Sequence, residues 1–451
     1  MKKILGILMI LLLLQLLSGC IASTSVVEKG PLPPKKIEDN HETPVDTTAE
    51  EEEPDSVPEQ PEQLEPDPEP ITEQKPVFEY PDAVRGIYVT GHSAGGERLE
   101  KLIQLVNETD LNAMVIDVKD DYGNITFKLD GTPFEQYGKN YIKDPAALLE
   151  KLAEHNIYPI ARVVVFKDST FAAEHPEFSF QQNGKVWKNT KKEAFINPFI
   201  RENWEHNVLI AKEAAKIGFK EIQFDYVRFP EGFEKKAAKL TYSLGEYSKE
   251  KLLPRLVEEW ESIPAEIRPE FSPEYDPVQA RVAAVTDFVK YAYEEMKPFD
   301  VEVSVDIFGY SATVSEAPGI GQNFIKISEN VDVISSMIYP SHWSIGYFNI
   351  PKPDKEPYRL VKEYVLEEKG KFSLMDSPPR SRPWIQDFTA PWLGEGYYIK
   401  YGKAEVEAQI RALGEGGITE FLLWNPLNRY TANVDYTPEL QEPLEEQIQN
   451  E

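Results

Sequence analysis

Between Val84 and Leu427, short runs of apolar, β-prone residues recur, and in the stretches between them apolar residues return every three or four positions. The runs predict eight strands, over residues 84–90, 113–118, 158–166, 221–227, 301–308, 331–339, 383–388 and 420–424. The stretches between them predict helices: Leu99, Leu102, Ile103 and Val106 mark the first, Ala147, Leu148 and Leu152 the second, and Trp204, Val208, Ala211 and Ala215 the third. A long one is expected over 278–296, and Val406, Ile410 and Leu413 mark the last, which Gly416 and Gly417 end. Several strands are apolar on both faces, as parallel strands covered by helices are. Eight such alternations predict a (β/α)8 TIM barrel. The competing architecture, an open doubly wound sheet, usually carries a glycine-rich phosphate loop after its first strand. Here Gly91-His92-Ser93-Ala94-Gly95-Gly96 lacks the dinucleotide spacing, so no cofactor is expected.

The connections are uneven. Residues 231–277 follow the fourth strand as a long insertion, on the face of a barrel where active sites lie.

The two ends break the alternation. Lys2 and Lys3 precede an apolar run over 4–14, too short for a comfortable membrane span, and Leu17-Ser18-Gly19-Cys20 resembles a bacterial lipobox, whose cysteine is lipidated. Cys20 is the only cysteine, so no intramolecular disulfide can form. Residues 1–20 therefore read as a lipoprotein signal peptide. They imply an exported protein held on the extracellular face of the cell membrane by an N-terminal lipid. Residues 21–80 read as a disordered tether rich in proline and acid. Between Glu38 and Lys75 stand 15 Asp or Glu against one Lys, close to half of the whole-chain net charge of −29. The acidity thus belongs largely to a spacer, and with no basic patch to offset it, nucleic acid is not an expected partner. The remaining boundaries are a barrel domain over 81–430 and a tail over 431–451.

In a barrel, the carboxyl ends of all strands converge on one mouth. There the chain places His92, Asp117 with Lys119, Asp120 and Asp121, Arg162 with Lys167 and Asp168, Asp225 with Tyr226 and Arg228, Asp306, Tyr339 with His342 and Trp343, Gln386 with Asp387, and Trp424 with Asn425. Acids and aromatics dominate. Carboxylates can protonate a glycosidic oxygen and meet an oxocarbenium centre, and aromatic rings can stack on pyranose faces. Any single strand-end Asp can instead be a helix N-cap or an ion-pair partner, and Asp225 could pair with Arg228 or Arg162. Asp225, Asp306 and Asp387, at the ends of strands four, five and seven, are the catalytic candidates. Asp117, Lys119, Arg162, Arg228, Tyr339, His342, Trp343, Trp424 and Asn425 are the candidates for binding a poly- or oligosaccharide. No His-x-His, His-Glu-x-x-His or paired-cysteine spacing points to a metal, and no Gly-x-Ser-x-Gly elbow points to a serine hydrolase.

The segment Phe224-Asp225-Tyr226-Val227-Arg228-Phe229-Pro230, with Gly218-Phe219 and Glu221-Ile222-Gln223 before it, resembles the signature of a family of bacterial extracellular glycoside-hydrolase-type domains. Val84-Arg85-Gly86-Ile87-Tyr88-Val89-Thr90, Asp117-Val118-Lys119-Asp120 and the 161–168 run around Arg162 resemble it too. The resemblance spans about residues 83–427 and implies a TIM barrel with glycosidase activity. More distantly the chain is similar to α-amylase-like barrels, and that similarity implies Asp225 as nucleophile, Asp306 as proton donor and Asp387 as transition-state stabiliser. Two departures stand out: Gln223 occupies the place of the amylase Arg, and the donor is Asp where Glu is usual. A second reading of the same residues is a carbohydrate-binding or envelope scaffold lipoprotein without turnover. Stacking by Trp343, Trp384, Trp392, Tyr397, Tyr398 and Trp424 would serve it as well.

Overall fold

The computed structural model of the protein describes residues 76–265 and 268–438. The expected signal segment with Cys20, residues 21–75 of the expected tether and residues 439–451 lie outside the described residues.

Eight strands form the barrel wall: β1 (Arg85–Val89), β2 (Ala113–Lys119), β3 (Tyr158–Val164), β4 (Glu221–Asp225), β5 (Glu302–Phe308), β6 (Val333–Met337), β7 (Trp384–Gln386) and β8 (Phe421–Trp424), and the two-residue strand Arg380–Ser381 adds a ninth to the sheet beside β6. Each pairs in parallel with its neighbour in sequence. The ring closes where Arg85 of β1 pairs with Phe421 of β8. Beside β6 the seam is made in two steps: Val333 and Ile334 pair with the two-residue strand Arg380–Ser381, and Met337 pairs with Trp384 of β7. This is the (β/α)8 barrel that the hydrophobic pattern predicts.

Around it lie α1 (Arg98–Asn107), α2 (Pro145–Glu154), α3 (Arg201–Ile217), α4 (Lys249–Ser262), α5 (Pro277–Met296), α6 (Phe324–Ser328), α7 (Pro357–Phe372) and α8 (Lys403–Glu415). Local sequence starts and stops several of them. Asp144 caps α2 through Ala147 N with Pro145 at the first position, and Asp276 caps α5 through Val278 N. Gly218 ends α3 at φ +128°, a backbone region open to glycine. The insertion after β4 is more than a loop, because it carries α4. α6 and α7 come in addition to the helices that periodicity picks out.

Two apolar layers hold this together. The larger lies between sheet and helices; the smaller fills the barrel with Tyr88, Ala113, Val115, Tyr158, Ile160, Trp384 and Leu422. Each fully buried aliphatic side chain contributes roughly 1.5–3 kcal/mol.

The floor of the barrel is ionic. Arg382, fully buried two residues before β7, reaches Glu221 at 2.7 Å and Glu420 at 2.8 Å. Ser304 and the Tyr80 hydroxyl complete the network. The packed body is therefore wider than residues 81–430: Phe78 and Tyr80 join it at one end, and Val434 and Tyr436 are buried in the core at the other.

Candidate active site

β3 places Arg162 inside the barrel, between Asp117 on β2 and Gln223 on β4. Its guanidinium touches Asp117 Oδ1 at 2.7 Å and Asp225 Oδ2 at 2.6 Å through Nη2 and 3.0 Å through Nε, with Asp121 at 3.5 Å. So Arg162, rather than Arg228, is the partner of Asp225. Removing the two buried carboxylates, Asp117 and Asp225, from water without a cation would be very costly, and one delocalised fork with fixed geometry serves both and reaches the half-buried Asp121 as well.

Asp117 accepts a second bond, 2.6 Å, from the Tyr88 hydroxyl. Burial pushes the Asp117 carboxyl up to about 7, with Arg162 pulling the other way. Asp121 is held below the usual range: burial works to raise it, but Arg162 and Lys167 outweigh that effect.

Asp225 is the last residue of β4. Tyr226 follows at φ +52°, a left-handed conformation that costs a non-glycine residue about 1–2 kcal/mol. Its amide donates back to Asp225 Oδ1. That turn ends the strand two residues earlier than expected and aims the Tyr226 ring between two cations, Lys167 and Arg228, each 4.6 Å from its centroid. Arg228 itself is buried against the Phe308 ring and pairs with the exposed Glu231 at 3.2 Å.

Asp306 stands on β5 beside Asp225; each directly follows a residue of the register pair Phe224 and Val305. Its Oδ1 accepts a 2.8 Å bond from Trp384 Nε1. Burial, and next the charge of Asp225, push the Asp306 carboxyl well above the ordinary range; the Trp384 bond and Arg162 offset this only in part. Burial, and next the charges of Asp306 and Asp225, raise the Tyr339 hydroxyl well above its ordinary range. Trp424 stacks on Tyr88 at 4.1 Å, and Arg162 lies 5.4 Å from each of these rings.

Other candidates stand elsewhere. Asp387 gives both oxygens to Thr431, Oδ2 to its amide and Oδ1 to its hydroxyl, and so braces the segment after β8. Asn425 serves the same segment, donating to the carbonyls of Asp387 and Arg429. Lys119 does not reach the mouth. A bulge between Asp117 and Lys119 shifts the register, and Lys119 turns behind the barrel wall to a 2.6 Å ion pair with Asp168 and a bond to Asn207. Asp168 also caps the short helix Ser169–Glu174 through Phe171 N. Trp343 is buried in the outer layer against Tyr347, Phe348 and Tyr364. His342 is exposed at the rim, where it meets Ser341, Phe388 and Trp392.

Tyr88, Lys167 and Tyr226 join the site although the strand-end reading does not select them for binding. Tyr88 carries a visible signal, a polar-tipped aromatic at an inward position of β1. The left-handed turn at Tyr226 carries none. Among the described residues no group of three or more His, Cys, Asp or Glu could hold a metal ion. A cleft of about 320 Å³, lined by Tyr80, Tyr158, Lys220, Glu302 and others, opens beside the barrel floor, away from these acids.

The chain is similar to several solved structures. A hypothetical protein from Ruminiclostridium thermocellum shares 27% identity over 49% of this chain and 96% of that one, with a TM-score of 0.38. The glycoside hydrolase domain of PgaB (BpsB) from Bordetella bronchiseptica shares 13% identity over 76% and 94%, with a TM-score of 0.50. That of PelA from Pseudomonas aeruginosa shares 11% over 79% and 100%, at 0.40. At 13% identity the likeness to the Bordetella domain is one of fold. No curated protein matches. Residues 86–430, most of the chain, match the family described as "Putative glycosyl hydrolase domain", and the protein belongs to that family.

Proposed function

We propose that the protein is an exported, lipid-anchored glycoside hydrolase that cleaves O-glycosidic bonds of a poly- or oligosaccharide, with Asp306 as proton donor and Asp225 as the attacking carboxylate. The observation that carries this reading is the unequal treatment of two adjacent carboxyl groups. Asp306 is buried, faces the charge of Asp225 and is driven toward its neutral form, while Asp225 is ion-paired with Arg162. A carboxyl kept neutral can give up a proton, and a neighbour fixed by a guanidinium is placed to attack.

In this scheme Asp306 gives its proton to the glycosidic oxygen as the bond to the anomeric carbon breaks, and the bonding pair leaves with that oxygen. Asp225 attacks the anomeric carbon. Water then displaces Asp225 and returns a proton to Asp306. Arg162 fixes the orientation of Asp225, and Asp387 acts as a rim brace outside the reaction. Family membership supports the hydrolase class. The anchor rests on Lys2, Lys3, the apolar run and Cys20 in its lipobox-like setting.

Asp306→Asn is the deciding variant, because an amide is close in shape to a neutral carboxyl and keeps an acceptor for Trp384. Release of reducing ends from a panel of cell-wall and biofilm polysaccharides should fall by about 10²-fold or more, with an unchanged melting temperature. Full release in that variant would refute the reading. The exposed Trp392 beside Phe388 at the rim favours a second reading, a saccharide-binding scaffold. Retention of polysaccharide by the native protein without new reducing ends would favour it.

A further inference from the structure

Six rings run without a break from the rim of the mouth to its charged centre. Outermost is Trp392, 64% exposed, parallel to Phe388 at 5.8 Å and 23°. His342 stands edge-on to both. Tyr339 follows, 5.9 Å from Phe388, then Trp424 at 6.4 Å from Tyr339, then Tyr88 stacked beneath Trp424. His342 is exposed, Phe388 and Trp424 are partly covered, and Tyr339 and Tyr88 are buried. The inner end meets Arg162, which holds Asp117 and Asp225.

A large tryptophan left in water next to a parallel phenylalanine is not needed for the core, and apolar faces rimmed by polar groups mark binding surfaces. The continuity of the path with the acids restricts what would lie on it. A lone sugar at the acids would leave Trp392 and Phe388 bare, whereas a chain of pyranose rings would cover them in succession. The loops after β6 and β7 supply the outer rings, so the chain would leave the centre on that side.

We propose that Trp392, Phe388 and His342 form an outer saccharide subsite, and that the protein therefore takes a chain of several pyranose units rather than a single sugar. The assignment to substrate rests on the hydrolase reading; the binding site itself does not.

The test uses the protein carrying Asp225→Asn, to prevent turnover, and compares it with the same chain carrying also Trp392→Ala or Phe388→Ala. Probes are size-fractionated oligosaccharides, from disaccharides to octasaccharides, of β-glucan, chitin and bacterial cell-wall glycan, with affinity measured by calorimetry. For at least one series, affinity should rise with length, and the added variants should lower it about three- to tenfold for long members, collapsing the ratio of long to short. Trp392 is exposed, so its replacement should leave the fold intact. An undiminished ratio in the Trp392 variant, or no length dependence in any series, overturns the proposal. Sugar release by the native protein, measured separately, keeps the two readings apart. Release with no outer subsite removes this inference alone, and length-dependent binding without release removes only the hydrolase.

Discussion

Trp384 Nε1 donates a 2.8 Å hydrogen bond to Asp306 Oδ1 in the centre of the barrel, joining β7 to β5 across β6. An indole N–H can only donate, so Oδ1 is held as an acceptor and the proton of a neutral Asp306 is left to Oδ2. The pair thus decides which oxygen carries the proton.

Replacing Trp384 with Phe should separate this role from plain packing. The indole bond favours the charged form of Asp306, so its loss should raise the pKa of that carboxyl further. A general acid works while protonated, so the alkaline limb of the kcat/KM profile should move to higher pH. A packing role alone would lower stability, by roughly 1 kcal/mol for the lost bond, without moving that limb. The measurement is a pH–rate profile beside a urea denaturation curve.

Arg382 offers the opposite case, a buried ion network remote from the chemistry. In Arg382→Met, Glu221 and Glu420 lose their cation on the barrel floor, and stability should fall by about 3–5 kcal/mol. Sugar release per folded molecule should hold. A denaturation midpoint equal to that of the native protein would show that water or a shifted proton compensates the acids.

Glu368, fully buried on α7, takes bonds from the Tyr364 and Ser381 hydroxyls, and burial pushes its carboxyl up to about 7. A carboxyl whose folded value lies above its unfolded value binds more protons when folded. Its contribution is therefore greatest below about pH 4.5 and is lost as pH rises toward 7. The native protein should lose on the order of 3 kcal/mol from this group across that window, and Glu368→Gln should flatten that part of the slope. Urea unfolding at a series of pH values measures it; an unchanged slope would place the proton elsewhere, with Asp117 the next group to test.

Much of the architecture is legible along the chain because it rests on local periodicity. A two-residue alternation or a double-sided apolar run announces a strand, and a recurrence every three or four residues announces a helix. The α7 pattern, Leu360, Val361, Tyr364 and Val365, is present in the sequence too, yet in a charged stretch it is easily passed over. Strand ends are less legible. β4 stops at Asp225 because Tyr226 adopts a left-handed backbone, which the apolar pattern continuing to Val227 does not reveal.

The sequence by itself determined the class of fold, the tally of strands and the set of acids and aromatics at strand ends, because those follow from polarity among near neighbours. Tertiary structure decided which of them meet. Closure of the ring sets β2, β3 and β4 side by side and so puts Arg162 between Asp117 and Asp225. A single bulge sends Lys119 behind the wall although it is only two residues from Asp117. The floor network joins Arg382 to residues 161 and 38 positions away. Such encounters depend on the register and closure of the whole sheet, and a short window of sequence contains neither.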